Sequence, residues 1–563
     1  MAVLATRTIV ERSDDIPLLI HWLQQLELAP LLDRELPPAH GNRQGLSYGE
    51  LSVLLLTYIM SQADHRLCAV EPWVNQHLHT LEQATGWQIG DKDTSDDRLA
   101  SLVEVLGKHG EARERIEVGL GEQMIHAYAL PTTVTRVDTT SFSVYHQLDE
   151  AQAQESILRF GYSKDHRPDL RQYRQLLGTL DPLGVPLISE TLPGNGADDN
   201  LYVPAWQRMA QVLGHTDFLL IADCKAASLA NRAQIAQAGG FYCFPAPLTG
   251  HTAESLKHWV LNPPAAAEEI CLELSNPAAA SIGLGFEMEV GKLWSDPDTQ
   301  ESFHWSERYL VVRSDALAKK QIRGLHQRLE RAEQALAKLA AKPVDDEERL
   351  QSQARAILKR YRVSDSFRID ITYQLLTHYR GPGRPKDGLG IEIQYGLTFE
   401  RQLQAIDTAE RLAGWRIYLT NTTPEQLSLA EAIAYYREQW QMERGFHRFK
   451  RGALPALPIY LQNENRIAGL MFLLTIALRL FTLIEFVVRQ QLKTQNASLA
   501  GLYAGNPKRS TQRPSAEQLL RAFRDITLVR YRDGTAEMTP LSNLQRQILA
   551  LMLIPTTIYD LPP

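Results

Sequence analysis

Apolar residues recur with a helical period in the first part of the chain, up to about residue 128. The apolar run Leu51–Met60 follows Ser47 and Glu50, whose spacing is that of a capping box at a helix start. A second polar start, Asp93–Asp97, precedes another apolar run. The pattern predicts a helical N-terminal domain over residues 1–128, which serves either DNA binding or packing and oligomerisation.

After Thr133 the pattern changes to short β-rich runs separated by turns. Val134–Asp138 and Phe218–Asp223 each end in an acidic residue, and Asp181–Gly184 is a turn-rich tetrapeptide between two further runs. Two helices and another strand are predicted beside them, at Tyr202–Leu213, Ser228–Ala238 and Phe241–Phe244. The predicted order is three strands of antiparallel type, then helix–strand units, then a late helix. This is the order of elements in a ribonuclease-H-like α/β domain.

The region between about residues 247 and 413 follows a different pattern, which we interpret as an insertion that splits the catalytic domain. Two charged helices interrupted at Lys342-Pro343 predict a helical hairpin, at Ala316–Ala341 and Asp345–Tyr361. Four strands are predicted as well, at Leu284–Val290, Tyr309–Val312, Phe367–Thr372 and Ile391–Thr398. The expected fold class is therefore α/β, a ribonuclease-H-like catalytic domain interrupted by a largely β insertion with a helical hairpin. Its expected parts are the N-terminal domain (1–128), the catalytic domain (129–246 and 414–495), the insertion (247–413) and a helical C-terminal tail (496–563).

Net charge, cysteine spacing and one long apolar stretch limit which partners and which cellular compartment are expected for this chain. The 563 residues carry a net charge of −7, so a DNA-binding role would rest on local basic patches rather than on a uniformly basic surface. The four cysteines lie far apart without a Cys-x-x-Cys pair, which argues against a zinc knuckle or a disulfide framework and fits a reducing cytoplasm. The apolar stretch Ile467–Val488 is interrupted by Arg479 and Glu485, so we predict a buried core helix rather than a membrane span.

The segment Tyr435–Lys450, called the signature segment below, is the most informative stretch of the chain. At about 100° per residue, one narrow helical stripe contains Tyr436, Gln439, Glu443, His447 and Lys450, and an apolar stripe about a quarter-turn away contains Tyr435, Met442, Phe446 and Phe449. Such a helix can dock on a core and present a ring, a carboxylate and cations together. The alternative is a basic surface helix whose glutamate is merely solvated. Ser428 and Glu431 form a capping box that predicts the helix start.

Three carboxylates are candidates for a metal site. Asp138 and Asp223 end predicted strands and Glu443 lies on the late helix, and such a trio can hold two Mg²⁺ ions about 4 Å apart. Hard oxygen ligands favour Mg²⁺ or Mn²⁺ over zinc. Strand-end aspartates also commonly cap turns, and Asp199 stays open as an alternative to Asp223. Asp181 is better explained by its Asp-Pro turn.

These residues resemble the DDE transposases of bacterial insertion sequences, in the IS-four superfamily. The signature on the last catalytic helix of that family is Tyr, two residues, Arg, three residues, Glu, six residues, Lys. Tyr436, Glu443 and Lys450 match it, whereas Gln439 fills the arginine position and Arg437 lies two residues earlier. The aspartate motifs of the family are matched by Val137-Asp138-Thr139-Thr140 and Ile221-Ala222-Asp223, and the run Gly161–Asp169 is also similar to the family. The resemblance covers at least residues 133–480.

The resemblance implies a Mg²⁺- or Mn²⁺-dependent enzyme with two ions per site, held by Asp138, Asp223 and Glu443. It would bind the terminal inverted repeats of its element as a homodimer on double-stranded DNA, cleave the DNA ends and join the freed 3′-hydroxyl to target DNA. It would act in the bacterial cytoplasm, at the nucleoid. Tyr436 and Lys450 are expected to contact phosphate near the cleavage site.

Further DNA contacts are expected from local basic patches. Arg437 and Arg444 belong to the signature segment, Lys164 and Arg167 to a loop, and Arg384 to a Gly-Arg-Pro turn suited to a narrow minor groove. Two alternatives remain: a metal-dependent nuclease without strand transfer, and a catalytically silent DNA-binding protein derived from a transposase.

Overall fold

The computed structural model describes residues 8–38, 44–146, 156–264, 266–271, 281–342, 344–378 and 390–561. It divides into two compact units. The first unit comprises Met1–Cys243, Trp294–Phe303 and Tyr435–Pro563, and the second comprises Phe244–Leu293 and His304–Ala434. Arg384 and its Gly-Arg-Pro turn lie outside the described residues.

The N-terminal part of the first unit is helical, as predicted, apart from one strand, β1 (Ile9–Arg12). Ser47 Oγ accepts a hydrogen bond from the backbone N–H of Glu50 at 3.1 Å, and Glu50 accepts one from the backbone N–H of Ser47 at 2.8 Å, so the predicted capping box is confirmed. The helices are α1 (Ile16–Gln25), α2 (Leu28–Glu35), α3 (Tyr48–Gln62), α4 (Val70–Gln76), α5 (Leu78–Thr85), α6 (Asp96–Lys108) and α7 (Gly110–Tyr128).

A mixed sheet forms the centre of the first unit. Its strands are β2 (Val134–Val144), β3 (Arg171–Leu180), β4 (Val185–Pro193), β5 (Leu219–Ile221) and β6 (Phe241–Pro245), in the order β4-β3-β2-β5-β6. Strands β2, β3 and β4 pair antiparallel, whereas β5 pairs parallel to both β2 and β6. The connecting helices are α8 (Tyr202–Leu213) and α9 (Leu229–Gln237). The predicted elements of this region are thus confirmed.

One boundary prediction in this sheet is wrong. Strand β2 continues to Val144, so Asp138 lies inside the strand rather than at its end. The antiparallel partner β3 pairs with β2 as far as Val144, whereas the parallel partner β5 pairs with it only as far as Arg136. Asp138 therefore lies where one neighbouring strand stops, on a strand that continues.

The second unit combines a sheet, a long two-stranded ribbon and helices. The sheet has the order β12-β9-β8-β7, and the separate ribbon is β10–β11. The strands are β7 (Glu268–Cys271), β8 (Ser281–Ser295), β9 (Ser302–Ser314), β10 (Phe367–His378), β11 (Gly390–Arg401) and β12 (Trp415–Thr420), and the helices are α10 (Gly250–Leu261), α11 (Asp315–Ala340), α12 (Glu347–Tyr361) and α13 (Leu403–Arg411). Helices α11 and α12 share a buried apolar cluster that includes Leu329, Leu336, Leu350 and Leu358, so the predicted helical hairpin is confirmed.

The signature segment forms two helices instead of the one predicted. Helix α14 (Leu429–Arg437) begins after the predicted cap at Ser428, and helix α15 (Trp440–Arg451) follows a two-residue turn. The backbone carbonyl of Tyr435 accepts a hydrogen bond from the Arg136 guanidinium at 2.7 Å and one from the N–H of Glu438 at 3.1 Å. Such three-residue backbone bonds tighten a helix locally. The break thus has a tertiary cause, which helical periodicity does not reveal.

Helix α16 (Glu464–Thr494) runs through the core of the first unit. Within the described part of the chain it is the one helix long and apolar enough to be a candidate membrane span, but 94% of its most apolar window is buried inside the protein. Its Arg479 guanidinium donates to the Leu187 carbonyl at 2.6 Å. The prediction of a buried core helix is confirmed.

The C-terminal segment is mixed, so the prediction of a helical tail is wrong in part. It contains α17 (Ala516–Arg521), α18 (Asn543–Leu551) and four short strands, β13 (Leu499–Ala500), β14 (Ser510–Thr511), β15 (Thr527–Arg530) and β16 (Ala536–Met538). Strand β15 pairs antiparallel with β1 near the start of the chain and with β16. A four-residue strand whose partner lies some five hundred residues away has little local signal.

Candidate active site

Sheet register brings Asp138 and Asp223 together. The last parallel pair between β2 and β5 is Arg136 with Ile221, and each aspartate lies two residues beyond it. Paired strands lie about 4.8 Å apart. Because both aspartates lie two residues after the same pair, in the same direction, they occupy neighbouring positions. The two carboxylates interact electrostatically, which is consistent with that placement.

Asp138 is held in a confined, partly buried position. Its side chain is 18% exposed, and its Oδ1 accepts a hydrogen bond from the Thr139 N–H at 2.7 Å and lies 3.7 Å from Lys164 Nζ. Burial raises the pKa of Asp138 to about 6, against the opposing effect of Lys164, and the charges of Asp223 and Asp198 raise it further. The site thus concentrates negative charge that a cation would neutralise.

Asp223 caps the short 3₁₀ turn that follows β5. Its Oδ1 accepts from the Tyr202 hydroxyl at 2.5 Å and from the Lys225 N–H at 3.0 Å. Burial and the neighbouring Asp223 charge raise the pKa of Tyr202 far above its usual range, so its hydroxyl stays a proton donor. Within the described residues, the Oδ2 atoms of Asp138 and Asp223 accept no hydrogen bond, which leaves one oxygen of each open to a cation.

A third acid, Asp198, lies beside this pair and was not among the predicted ligands. It is buried and bonded to the Arg174 guanidinium and the Lys225 ammonium. Burial would raise its pKa, but the Lys225 hydrogen bond and the surrounding positive charges leave it lowered. Asp198 is therefore ionised and neutralised by its own cations. Asp199, the alternative to Asp223, is exposed, and its carbonyl accepts from Asn231 at 3.0 Å.

Helix α15 lies over the sheet face that bears Asp138. Met442 Sδ lies 4.0 Å from Thr179 Oγ1, and a Cβ added at Gly445 would lie 4.0 Å from Leu177 Cδ1. Leu177 is the cross-strand partner of Asp138. Cross-strand partners share a face, so the turn that contains Glu443 passes at the level of Asp138.

Glu443 itself is exposed, and within the described residues its carboxylate has no hydrogen bond or ion pair. Among the described residues, no three acidic, histidine or cysteine side chains form a group that could hold a metal ion. The structure therefore brings Asp138 and Asp223 together and leaves Glu443 nearby but separate.

A buried acid anchors α15 from its other side. Glu485 of α16 is fully buried and accepts hydrogen bonds from Arg444, Arg448 and Arg489, and from the Ala516 N–H at 2.9 Å. Arg444, a predicted DNA contact, is thus engaged inside the protein. In the sequence, Glu485 is only a charge that interrupts an apolar run. Its position in the middle of a core helix was the available signal.

The other predicted DNA contacts differ in exposure and in their partners within the protein. Lys450 Nζ is 2.9 Å from Asp165 Oδ1 and 5.6 Å from the Phe142 ring centre, while Lys164 Nζ also donates to the Thr139 carbonyl. The side chain of Arg167 is 43% exposed, binds Asp169 through two nitrogens at 2.8 and 2.7 Å, and donates to the Tyr145 hydroxyl at 3.3 Å. Arg437 is exposed and Tyr436 is half-buried.

The position at which the resemblance expects arginine has an unusual polar environment. The Oε1 atom of Gln439 is buried and accepts no hydrogen bond from the described residues. Gln439 also lies in the turn between α14 and α15, so its side chain leaves the backbone where the helical stripe is interrupted.

Comparison with known proteins agrees with these motifs. The family model described as Transposase DDE domain matches residues 130–480. No curated protein matches the chain. The matched span exceeds half of the chain and includes both aspartates and the whole signature segment. The chain belongs to the transposase DDE domain family.

Proposed function

We propose that this protein is an insertion-sequence transposase that binds the terminal inverted repeats of its element, cleaves the DNA ends and transfers the 3′-hydroxyl strand to target DNA. The observation that supports this most strongly is the pair Asp138 and Asp223, adjacent at the end of β5 beneath α15, in a chain of this family. Family membership supports transposase activity in general. The ligand set and the order of steps are our proposal.

Asp138, Asp223 and Glu443 are the proposed ligands of Mg²⁺ or Mn²⁺, two ions per site. Carboxylate oxygens are the donors that these ions prefer. The raised pKa of Asp138, to about 6, also fits a position that gains by holding a divalent cation. When bound, the metal supplies Lewis-acid activation of the attacking oxygen and charge neutralisation at the phosphate.

The remaining residues of the site position these groups. The Thr139 N–H and the Tyr202 hydroxyl orient the two aspartates, and Lys164 neutralises part of the charge on Asp138. Lys450 and Tyr436 are proposed to contact DNA phosphate, with Lys450 exchanging its present partner Asp165 for the DNA. Phosphoryl transfer depends largely on such positioning and neutralisation.

The finer classification is also a proposal. The match of Tyr436, Glu443 and Lys450 to the signature supports the IS-four superfamily, and the strand order β4-β3-β2-β5-β6 supports a ribonuclease-H-like catalytic domain. We further propose the five-part domain division, a homodimer on double-stranded DNA and a location at the bacterial nucleoid. Arg437 is proposed to replace the arginine missing at Gln439.

A strand-transfer assay tests the function. The purified protein is incubated with pre-cut element ends, a target plasmid and Mg²⁺ or Mn²⁺, and joined products are quantified. The proposal requires joined product from the wild type and none from Glu443→Gln, with DNA binding retained by the variant. A parallel reaction with uncut element ends measures cleavage. Cleavage there without joining would identify a nuclease, and binding without either reaction would identify a catalytically silent protein.

A further inference from the structure

A cleft of about 640 Å³ lies on the side of α15 that faces the N- and C-terminal segments. We call it the arginine cleft. Its lining comes from segments that are far apart in sequence: the end of β1, the end of α3, α15, α16 and α17 with the residues after it. The arginines that line it are Arg12, Arg444, Arg448, Arg521 and Arg524, the acids are Asp14, Asp15 and Glu517, and His447 lines it as well.

Five arginines therefore face three acids, in a chain whose overall charge is negative. The acids are already engaged within the protein. Asp14 lies 3.0 Å from Arg12, Glu517 accepts from Arg448 at 2.7 Å, and Asp15 accepts from the Ser61 hydroxyl at 2.7 Å. The local surplus is therefore positive, and it is greatest at the arginines whose side chains form no ion pair in the described part of the chain.

Arg521 and Arg524 are those arginines. Both are exposed, and within the described part of the chain neither side chain makes a hydrogen bond or an ion pair. Arg521 is the last residue of α17, and Arg524 lies in the turn that follows it, where its charge interacts with that of Asp15. Arg444 and Arg448, by contrast, are paired with Glu485, and Arg448 also binds Glu517, so they line the cleft but add little uncompensated charge. Two guanidinium groups without ion pairs suit phosphate oxygens, which guanidinium groups bind through paired hydrogen bonds.

The arginine cleft opens beside the proposed catalytic residue. His447 lines the cleft and lies one helical turn after Glu443, on the same stripe of α15. Four residues along a helix span about 6 Å, roughly two nucleotide steps of one DNA strand. A strand whose phosphate lies at Glu443 would therefore reach the cleft within a few nucleotides.

We propose that the arginine cleft binds backbone phosphates of DNA beside the cleavage site, with Arg521 and Arg524 as the principal contacts. This deepens the proposed function and rests on it, because it requires the protein to act on DNA. It gives the C-terminal segment a part in DNA binding that the sequence did not indicate. Because the contact is to backbone phosphates and not to base edges, it does not depend on the base sequence.

The salt dependence of DNA binding tests the proposal. The full-length wild type and the double variant Arg521→Ala/Arg524→Ala are titrated with a fluorescent duplex in EDTA, between 50 and 200 mM salt. Each lost phosphate contact makes the negative slope of log K against log salt shallower by about 0.9, so the slope of the double variant should be shallower by about 1.8. The matched control is Arg530→Ala/Arg532→Ala, which removes two exposed arginines that do not line the cleft.

The proposal is overturned if the slope of the double variant equals that of the wild type, or if the control loses as much. A parallel titration with inorganic phosphate tests the other source of the same ligand. Tight phosphate binding that the double variant loses, with an unchanged DNA slope, would assign the cleft to a free anion. Because these titrations contain no divalent metal, the outcome is separable from that of the strand-transfer assay. Melting temperatures of all variants check that folding is intact.

Discussion

The two halves of the proposed active site are built differently. Asp138 lies within β2 and Asp223 lies two residues beyond the end of β5, and hydrogen bonds from Thr139, Tyr202 and Lys225 hold the two side chains. Glu443 lies on a helix surface, exposed and without a partner in the described residues. Hydrogen bonds within the fold fix the two aspartates, which we call the strand-borne half of the site. Glu443, the helix-borne half, lies near the aspartates without a hydrogen bond that fixes it.

The difference suggests how the site avoids a permanent cluster of negative charge. Three converging carboxylates without a cation would repel each other. Burial is the main cause of the raised pKa of Asp138, and the charges of Asp223 and Asp198 add to it. Glu443 stays in solvent, on a helix held from behind by Glu485. Under the proposed function, Glu443 would join the two aspartates when metal and DNA bind.

The largest expected effect tests whether both halves serve one reaction. Asp138→Asn, Asp223→Asn and Glu443→Gln should each slow cleavage by a factor on the order of 10³ or more, because each removes charge needed to neutralise the transition state through the metal. Cleavage of a labelled element end is measured beside DNA binding. A loss confined to the aspartates would separate Glu443 from the site.

The second prediction contrasts two glutamates on neighbouring helices. Glu485→Ala should lower the free energy of unfolding by about 3–5 kcal/mol, because it leaves the buried Arg448 without one of its acids. Glu443→Ala, at an exposed position, should change it by less than about 0.5 kcal/mol. Urea denaturation compares the two variants, and a similar loss in both would contradict the contrast.

The third prediction concerns the strand-borne half alone. The folded pKa of Asp138, about 6, lies above its ordinary value of 3.8, so the folded state holds a proton that the unfolded state releases. This contribution to stability is complete below pH 3.8 and is lost as the pH rises through 6. Asp138→Asn, which cannot ionise, should therefore be more stable than the wild type at pH 7.5 by up to roughly 3 kcal/mol.

The same comparison at pH 4 is the control, since the wild-type carboxyl is then largely protonated and the difference should nearly vanish. Both measurements use urea denaturation without divalent metal. If Asp138→Asn were less stable than the wild type at pH 7.5, the raised pKa of Asp138 in the folded state would be contradicted.

The smallest predicted effect concerns the orientation of Asp223. Tyr202→Phe removes the 2.5 Å hydrogen bond and keeps the buried ring. Cleavage should fall about tenfold, equivalent to about 1.4 kcal/mol, within the range of hydrogen bonds to charged groups. Tyr531→Phe, an exposed tyrosine bonded to Glu537 on the β15–β16 hairpin, is the control and should leave the rate unchanged.

Sequence reasoning identified most elements and the candidate residues because local patterns specify them. Capping residues mark the starts of α3 and α14, and apolar runs bounded by turns mark the strands of the sheet. Tyr436, Glu443 and Lys450 stand at the spacing of the signature of the family that the chain resembles. The aspartates were found as acids that follow apolar runs.

The errors and omissions all come from tertiary contacts. The signature segment breaks where Arg136, 299 residues away, bonds the Tyr435 carbonyl. Asp138 lies inside β2 because β3 continues to pair with β2 as far as Val144. Asp198 and Tyr202 reach the site through packing of α8 and its preceding turn, which periodicity does not encode. Arg521 and Arg524 gain their meaning only from the cleft that surrounds them.

Metal binding in the DNA complex tests the central claim, that both halves form one metal site, most directly. Mn²⁺ binding to the full-length protein is measured by electron paramagnetic resonance with and without a pre-cut element end, for the wild type, Asp138→Asn and Glu443→Gln. The wild type should bind two ions per chain with DNA, and both variants should lose at least one of them. If Glu443→Gln bound Mn²⁺ as the wild type does in the DNA complex, Glu443 would not be a ligand and the two-part site would be contradicted.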